Sequence, residues 1–112
     1  MVAQSLGMMR VLLEYAIDYA QQRETFGKPL IKHQVIRHKI AEMSARIDRL
    51  DGWLNQICWL ADQGEMPVAQ ICKAKFSATK DLEYCASEAM QILGGAGYLR
   101  GNPVERFYRE VK

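Results

Sequence analysis

No apolar run in this chain approaches the ~20 residues that a membrane-spanning helix needs, and the mean hydropathy is −0.21. We therefore expect a soluble protein with no membrane span. Charge of one sign is also scarce: 15 basic residues stand against 13 acidic ones, spread along the chain, for a net charge of +2. That leaves no electrostatic footprint for nucleic acid. Cysteine is limited to Cys58, Cys72 and Cys85, an odd number at wide spacing, which argues against a disulfide framework and against a zinc site. All three are expected to be reduced core thiols. The two histidines, His33 and His38, stand five apart and so do not share a helix face as a metal-binding pair four apart would. No carboxylate set completes a zinc or di-iron site, no Ser-His-Asp order or nucleophile elbow is legible, and no secretory segment precedes the first helical pattern.

What is present is helix. The 112 residues, 49% of them hydrophobic, suit one domain that buries roughly two-thirds of its unfolded surface. Ile36, Ile40, Met43, Ile47, Leu50, Leu54, Ile57 and Ala61 alternate steps of four and three, a heptad seam that predicts a helix over about 33–63. Before it, Leu6, Met9, Leu13, Ala16 and Ala20 mark a helix ending near residue 22. After it, Gly64 suits a C-terminal cap and Pro67 the first turn of a third helix. That helix carries the stripe Ile71, Ala74, Ala78, Leu82, Cys85, Ala89 and Ile92 and stops at Gly94-Gly95-Ala96-Gly97. Asn102-Pro103-Val104-Glu105 reads as an N-cap, a Pro at the first helical position and a capping-box Glu, opening a fourth helix from Pro103 to Lys112. Glu83 and Glu88 are expected on the solvent face of helix three, and Trp53 and Trp59 in core or a subunit interface. The expected fold class is all-α: an up-down bundle of three long antiparallel helices plus the start of a fourth.

Short connections give this topology a consequence. Helices one and three point the same way, so the turn Arg23-Glu24-Thr25-Phe26-Gly27-Lys28-Pro29-Leu30, running on to His33-Gln34, should lie at the same bundle end as Gln91-Ile92-Leu93-Gly94-Gly95. Turning requires only Gly27 and Pro29. Arg23, Thr25, His33, Gln34 and Gln91 add a cation, a hydroxyl and amides, and the glycines add exposed backbone N–H groups, the tools for holding phosphate. The start of helix two contributes its positive dipole end, and Phe26 a face for an apolar ring or a ribose. Each residue also has a plainer reading: Arg23 as a solvated helix-end cation, His33 as an ordinary helix-start residue, the glycines as caps, and Phe26 as core.

Taken in order, Arg23-Glu24-Thr25-Phe26-Gly27-Lys28-Pro29-Leu30, His33-Gln34, Gln91-Ile92-Leu93-Gly94-Gly95-Ala96-Gly97-Tyr98 and Pro103-Val104-Glu105-Arg106 resemble the C-terminal helical domain of the FAD-dependent acyl-CoA dehydrogenases, over almost the whole chain. The resemblance implies that the bundle helps form an oligomer core and that its turns reach the FAD of a neighbouring subunit. Arg23 would contact the pyrophosphate. Thr25, Phe26, Leu30, His33 and Gln34 would line the adenosine and phosphate region, with Gln91, Gly94 and Gly95 approaching the same cofactor.

The implied parent reaction is α,β-dehydrogenation of an acyl-CoA thioester, in a dimer or tetramer that passes its electrons to an electron-transfer partner. The expected location is the cytoplasm, or the mitochondrial matrix in a eukaryote. The family's N-terminal helical domain, its middle β-domain and its catalytic glutamate are not among these residues. We therefore expect residues 1–112 to be one domain of a larger flavoenzyme, inactive alone and without a catalytic residue. Two other readings stay open: a related flavoenzyme, such as an acyl-CoA oxidase or flavin monooxygenase relative, and a non-catalytic helical assembly module.

Overall fold

The computed structural model describes residues 1–111; Lys112, the last residue expected for the fourth helix, lies outside the described residues. Three long helices dominate: α1 (Val2–Gln22), α2 (Gln34–Asp62) and α3 (Val68–Leu93). Two short ones follow, α4 (Gly95–Tyr98) and α5 (Pro103–Glu110). Between α1 and α2 the chain forms a minimal antiparallel pair, β1 (Glu24–Thr25) with β2 (Lys28–Pro29), and a 3-10 turn over Leu30–Lys32. The all-α expectation holds, and the body is elongated, 56 × 27 × 16 Å.

The helices end where the sequence supplies a stop. Past α2, Gly64 takes φ +83, and after α3 Gly94 takes φ 56 and ψ −134, a combination open essentially to glycine alone. Asn102 caps α5, its Oδ1 accepting from Val104 N–H at 2.9 Å with Pro103 at the first helical position. Its Nδ2 donates to Ala96 O at 3.0 Å, tying α5 to α4. Pro67 is buried and serves as the N-cap of α3 rather than standing in its first turn. The glycine segment after α3 was expected as an open turn; instead Gly95 to Tyr98 make one more turn of helix. This turn lies so close to α3 that a Cβ on Gly97 would meet Leu93 Cβ at 3.1 Å and Met90 O at 3.2 Å.

The core joins all three long helices. Met9, Leu12, Met43, Leu50, Cys85 and Val104 are its largest fully buried side chains. Leu12 joins the buried face with Met9, Ala16 and Ala20, and Leu13 packs partly buried against the same core, because α1 packs on both α2 and α3. Alanines 16, 20, 74, 78, 86 and 89 are fully buried, and their small side chains let α1 and α3 approach closely along much of their length. At the far end the seams run past their cover, and Ala61 and Ile71 are exposed. The thiols divide: Cys85 is buried, but Cys58 and Cys72 are exposed, contrary to the core role expected for them, since both sit off the apolar stripes. Burial, then the charge of Asp81, pushes the Cys85 thiol up to about 12, which leaves it unreactive at neutral pH.

Register between the helices is fixed by ions. Arg10 of α1 pairs with Asp51 of α2 at 3.0 Å, which together with the short connection between Gln22 and Gln34 sets these two antiparallel. Lys39 of α2 pairs with Glu88 of α3, and Asp81 of α3 accepts from Arg46 at 2.7 Å and Arg49 at 2.7 Å. Glu88 is therefore an interhelical partner, not the solvent-face residue expected, because the start of α2 lies over it. Asp81 is 2% exposed, a carboxylate sealed between two guanidiniums and the Ser77 hydroxyl, which donates at 3.1 Å. Arg46 also holds Glu42 at 2.7 Å and lies 3.9 Å from the centre of the Tyr84 ring.

Burial alone would raise the Asp81 pKa, but hydrogen bonds from Arg49, Arg46 and Ser77 outweigh it and hold the carboxyl below its ordinary value. With the folded value depressed, the stabilisation is present above the unfolded carboxylate pKa and is lost as pH falls through the folded one. Asp81→Asn should cost about 3 kcal/mol at pH 7, near the low end for breaking a buried pair, because Arg49 is 57% exposed and can hydrate. It should also flatten the dependence of stability on pH below about 4. Denaturant midpoints of both forms, measured at pH 7 and across the acid range, check both effects.

Candidate functional site

Arg23 ends α1 in an extended conformation, its N–H still donating to Tyr19 O at 2.9 Å. Leu30 N–H donates to Arg23 O at 2.7 Å, so the chain leaves the helix and returns within seven residues as a hairpin. Glu24 pairs with Pro29 and Thr25 with Lys28, which makes Phe26 and Gly27 the two-residue tip. Both have positive φ, 51 and 77, as a turn of type I′ demands. Gly27 adopts this freely; for Phe26 the left-handed region costs on the order of 1–2 kcal/mol. No burial offsets that cost, since Phe26 is 98% exposed. The plainer reading of Phe26 as a core residue is corrected here: the turn geometry throws the ring into solvent.

His33 closes the hairpin. It is the N-cap residue of α2, yet its side chain makes no capping hydrogen bond. Its Nε2 instead lies 3.0 Å from Thr25 Oγ1 and 3.3 Å from Thr25 O, and its ring meets Phe26 edge-on with centroids 6.2 Å apart. Leu30 packs half-buried against the core, while Arg23 and Gln34 are exposed, Gln34 as the first residue of α2. Arg23 makes no ion pair among the described residues.

The glycine segment forms the second part. Gln91, Gly94 and Gly95 line an open groove of about 610 Å³ together with Ser87, Met90, Tyr98 and Tyr108. Nothing lies within 4 Å of a Cβ built on Gly94 or Gly95, so backbone there is open to close approach by a ligand. Four of the lining residues were missed by sequence reasoning. Ser87 had a signal, standing one helical turn before Gln91, but Tyr108 arrives from α5 and no local pattern could place it.

The two parts lie at one end of the bundle. Carrying the register of the ion pairs along the helices sets Gly94 of α3 level with His33 at the start of α2, and the end of α1 level with the last turns of α3. The groove itself, however, is built without the hairpin. None of Arg23, Thr25, Phe26, Leu30, His33 or Gln34 lines the glycine groove, and no hydrogen bond among the described residues joins the two turns. Within one chain these are two adjacent open surfaces, one a hairpin with a cation at its root, the other a shallow cradle of glycine backbone and polar side chains.

A profile described as "Acyl-CoA dehydrogenase, C-terminal domain" matches residues 1–112. The chain belongs to that family. The human mitochondrial short-chain specific acyl-CoA dehydrogenase is 36% identical over 112 residues, covering 98% of this chain and 27% of that protein. Butyryl-CoA dehydrogenase from Megasphaera elsdenii superposes with a TM-score of 0.94 at 34% identity, over 98% of this chain and 29% of that one. A structure described as the FAD complex of PigA gives a TM-score of 0.94 at 27% identity, with the same coverage. The chain thus spans less than a third of the length of the relatives it matches.

In this acyl-CoA dehydrogenase domain the residues present suit a dinucleotide. They offer a guanidinium with no ion pair among the described residues, an exposed aromatic ring, a hydroxyl, and two glycines with open space above them. The strain at the hairpin tip gives a direct test. Phe26→Asn, which favours the left-handed region, should raise stability by about 1 kcal/mol. Thermal unfolding of the variant beside the wild type measures it.

Proposed function

We propose that this chain is the C-terminal helical domain of a flavin-dependent acyl-CoA dehydrogenase, in which it binds FAD across a subunit interface and supports assembly of a homo-oligomer. The observation that carries this reading is the division of the site. A cation-bearing hairpin and an open glycine cradle lie at one bundle end, and no residue of the hairpin lines the cradle. A cofactor held partly by another subunit would meet both surfaces.

Each residue then has a task. Arg23 supplies charge-assisted donors for the pyrophosphate, and Thr25 a hydroxyl beside it. Phe26 covers the apolar face of the adenosine region, with Gln34 at the positive end of α2. Gly94 and Gly95 admit the cofactor against bare backbone, and the Gln91 amide serves as donor or acceptor. FAD, when bound, supplies the electron-accepting chemistry of acyl-CoA α,β-dehydrogenation. The residues of this chain bind and orient it and move no proton. The acyl-CoA substrate, a base and a downstream electron-transfer partner belong to the rest of the enzyme, in the cytoplasm or in the mitochondrial matrix of a eukaryote.

Assembly has its own support. Trp59 of α2 and Val68 and Phe76 of α3 are 60%, 58% and 70% exposed, and Met66 between these helices 78%. Apolar surface of this kind favours association by about 25 cal/mol per Å² covered. No helix of the described chain is long and apolar enough to cross a membrane, so these faces are not explained as a span.

Arg23→Ala in the full-length enzyme should weaken FAD binding by roughly 1.5–3 kcal/mol, or about ten- to a hundredfold, with the thermal stability of the FAD-free protein unchanged. Equilibrium titration of apo-enzyme with FAD decides it. Wild-type affinity in the variant would remove Arg23 from the site.

A further inference from the structure

His33 has one ring nitrogen against Thr25, and the chemistry of its two neighbours there is unequal. The Thr25 carbonyl oxygen, 3.3 Å from Nε2, can only accept a hydrogen bond. A bare Nε2 would set its lone pair against that oxygen; a protonated Nε2 satisfies it. The same N–H then reaches Thr25 Oγ1, 3.0 Å away, as a shared donor. With an N–H pointing at it, Oγ1 is an acceptor on that side, and the hydroxyl's own proton is left to point elsewhere.

On this basis we infer that His33 is a positioning residue. In the Nε2–H tautomer it clasps Thr25 and turns the Thr25 hydroxyl proton outward, as a donor to an acceptor oxygen of the bound cofactor, a phosphate oxygen in the reading above, on which the inference rests. Two further observations agree. His33 occupies an N-cap position without capping, so its ring is committed to the hairpin and not to α2. Its edge contact with Phe26 also restrains the one strained non-glycine residue of the tip. His33 therefore acts through Thr25 and Phe26, which touch the ligand, rather than by reaching the ligand itself.

A double-mutant cycle in the full-length enzyme tests the clasp, with FAD as the titrant of apo-protein. Thr25→Val and His33→Ala should each weaken FAD binding about tenfold, and the double variant also by about tenfold rather than a hundredfold, because both remove the same donor. His33→Gln, whose amide N–H2 stands near the position of Nε2, should restore affinity to within about threefold of wild type; His33→Asn, which places its amide near Nδ1, should not. Thermal unfolding of the same four proteins without FAD should show the matching coupling, with the double variant less destabilised than the two single losses combined. Multiplicative losses in the double variant would overturn the inference, since His33 would then meet the cofactor independently. Rescue by Asn instead of Gln would overturn it as well. If His33→Ala does not fold, the Gln and Asn variants on their own decide. Should Arg23→Ala and Thr25→Val both leave FAD affinity unchanged, the cofactor reading falls and this inference with it, whereas a loss with Arg23→Ala and additive effects at Thr25 and His33 sinks the inference alone.

Discussion

Asp81 is the constraint on which the rest of the arrangement depends. A carboxylate this deeply buried must be paired, and its partners, Arg46 and Arg49, stand on the neighbouring helix. Apolar seams rich in alanine can slide by a turn with little penalty, because one small side chain replaces another at the interface. An ion pair cannot, since a slip of one turn strands a buried charge. Asp81, reinforced by Lys39 with Glu88, therefore locks α3 against α2. Arg10 with Asp51 does the same for α1, though on the surface and more weakly. With both registers set, the glycines ending α3 stand level with the start of α2, and the functional turns share one end of the bundle.

At that end the chain departs from what local preference favours. Phe26 occupies a backbone conformation better suited to Asn or Gly, and does so in full exposure. Gly94 takes a conformation that residues with a Cβ rarely adopt, and Gly97 sits where a methyl group would press on α3. Along the long helices, by contrast, the apolar seams follow the expected spacing over most of their length. Local conflict gathered in one place is where geometry held for something other than stability is to be sought, and the groups available there are a guanidinium, a hydroxyl, an exposed ring and open glycine backbone.

The long helices were legible because apolar spacing, glycine stops and the Asn-Pro N-terminus all signal along the chain itself. So was the meeting of the two turns, which needs only short connections and alternating direction. The ion network was not legible. Asp81 follows Lys80 in a helix rich in polar residues, and nothing local shows that it turns inward toward arginines 32 and 35 residues away. Cys58 and Cys72 escape the core because a thiol's general preference for burial yields to its position beside the apolar stripe. The 3-10 turn, the β pair and the clasp between His33 and Thr25 depend on backbone angles at the hairpin, which residue types constrain only loosely. That the site would be split into two surfaces was also invisible, since periodicity reports faces and not cavities.

If this domain holds FAD across a subunit interface, cofactor binding is tied to association, because a ligand that bridges two subunits is bound fully only when both are present. The direct measurement is FAD occupancy of the full-length enzyme over a dilution series, with oligomeric state followed in parallel by sedimentation. FAD should be released over the same concentration range in which the oligomer dissociates, and added FAD should shift that range to lower protein concentration. A dissociated subunit that keeps FAD as tightly as the assembly does would contradict binding across the interface.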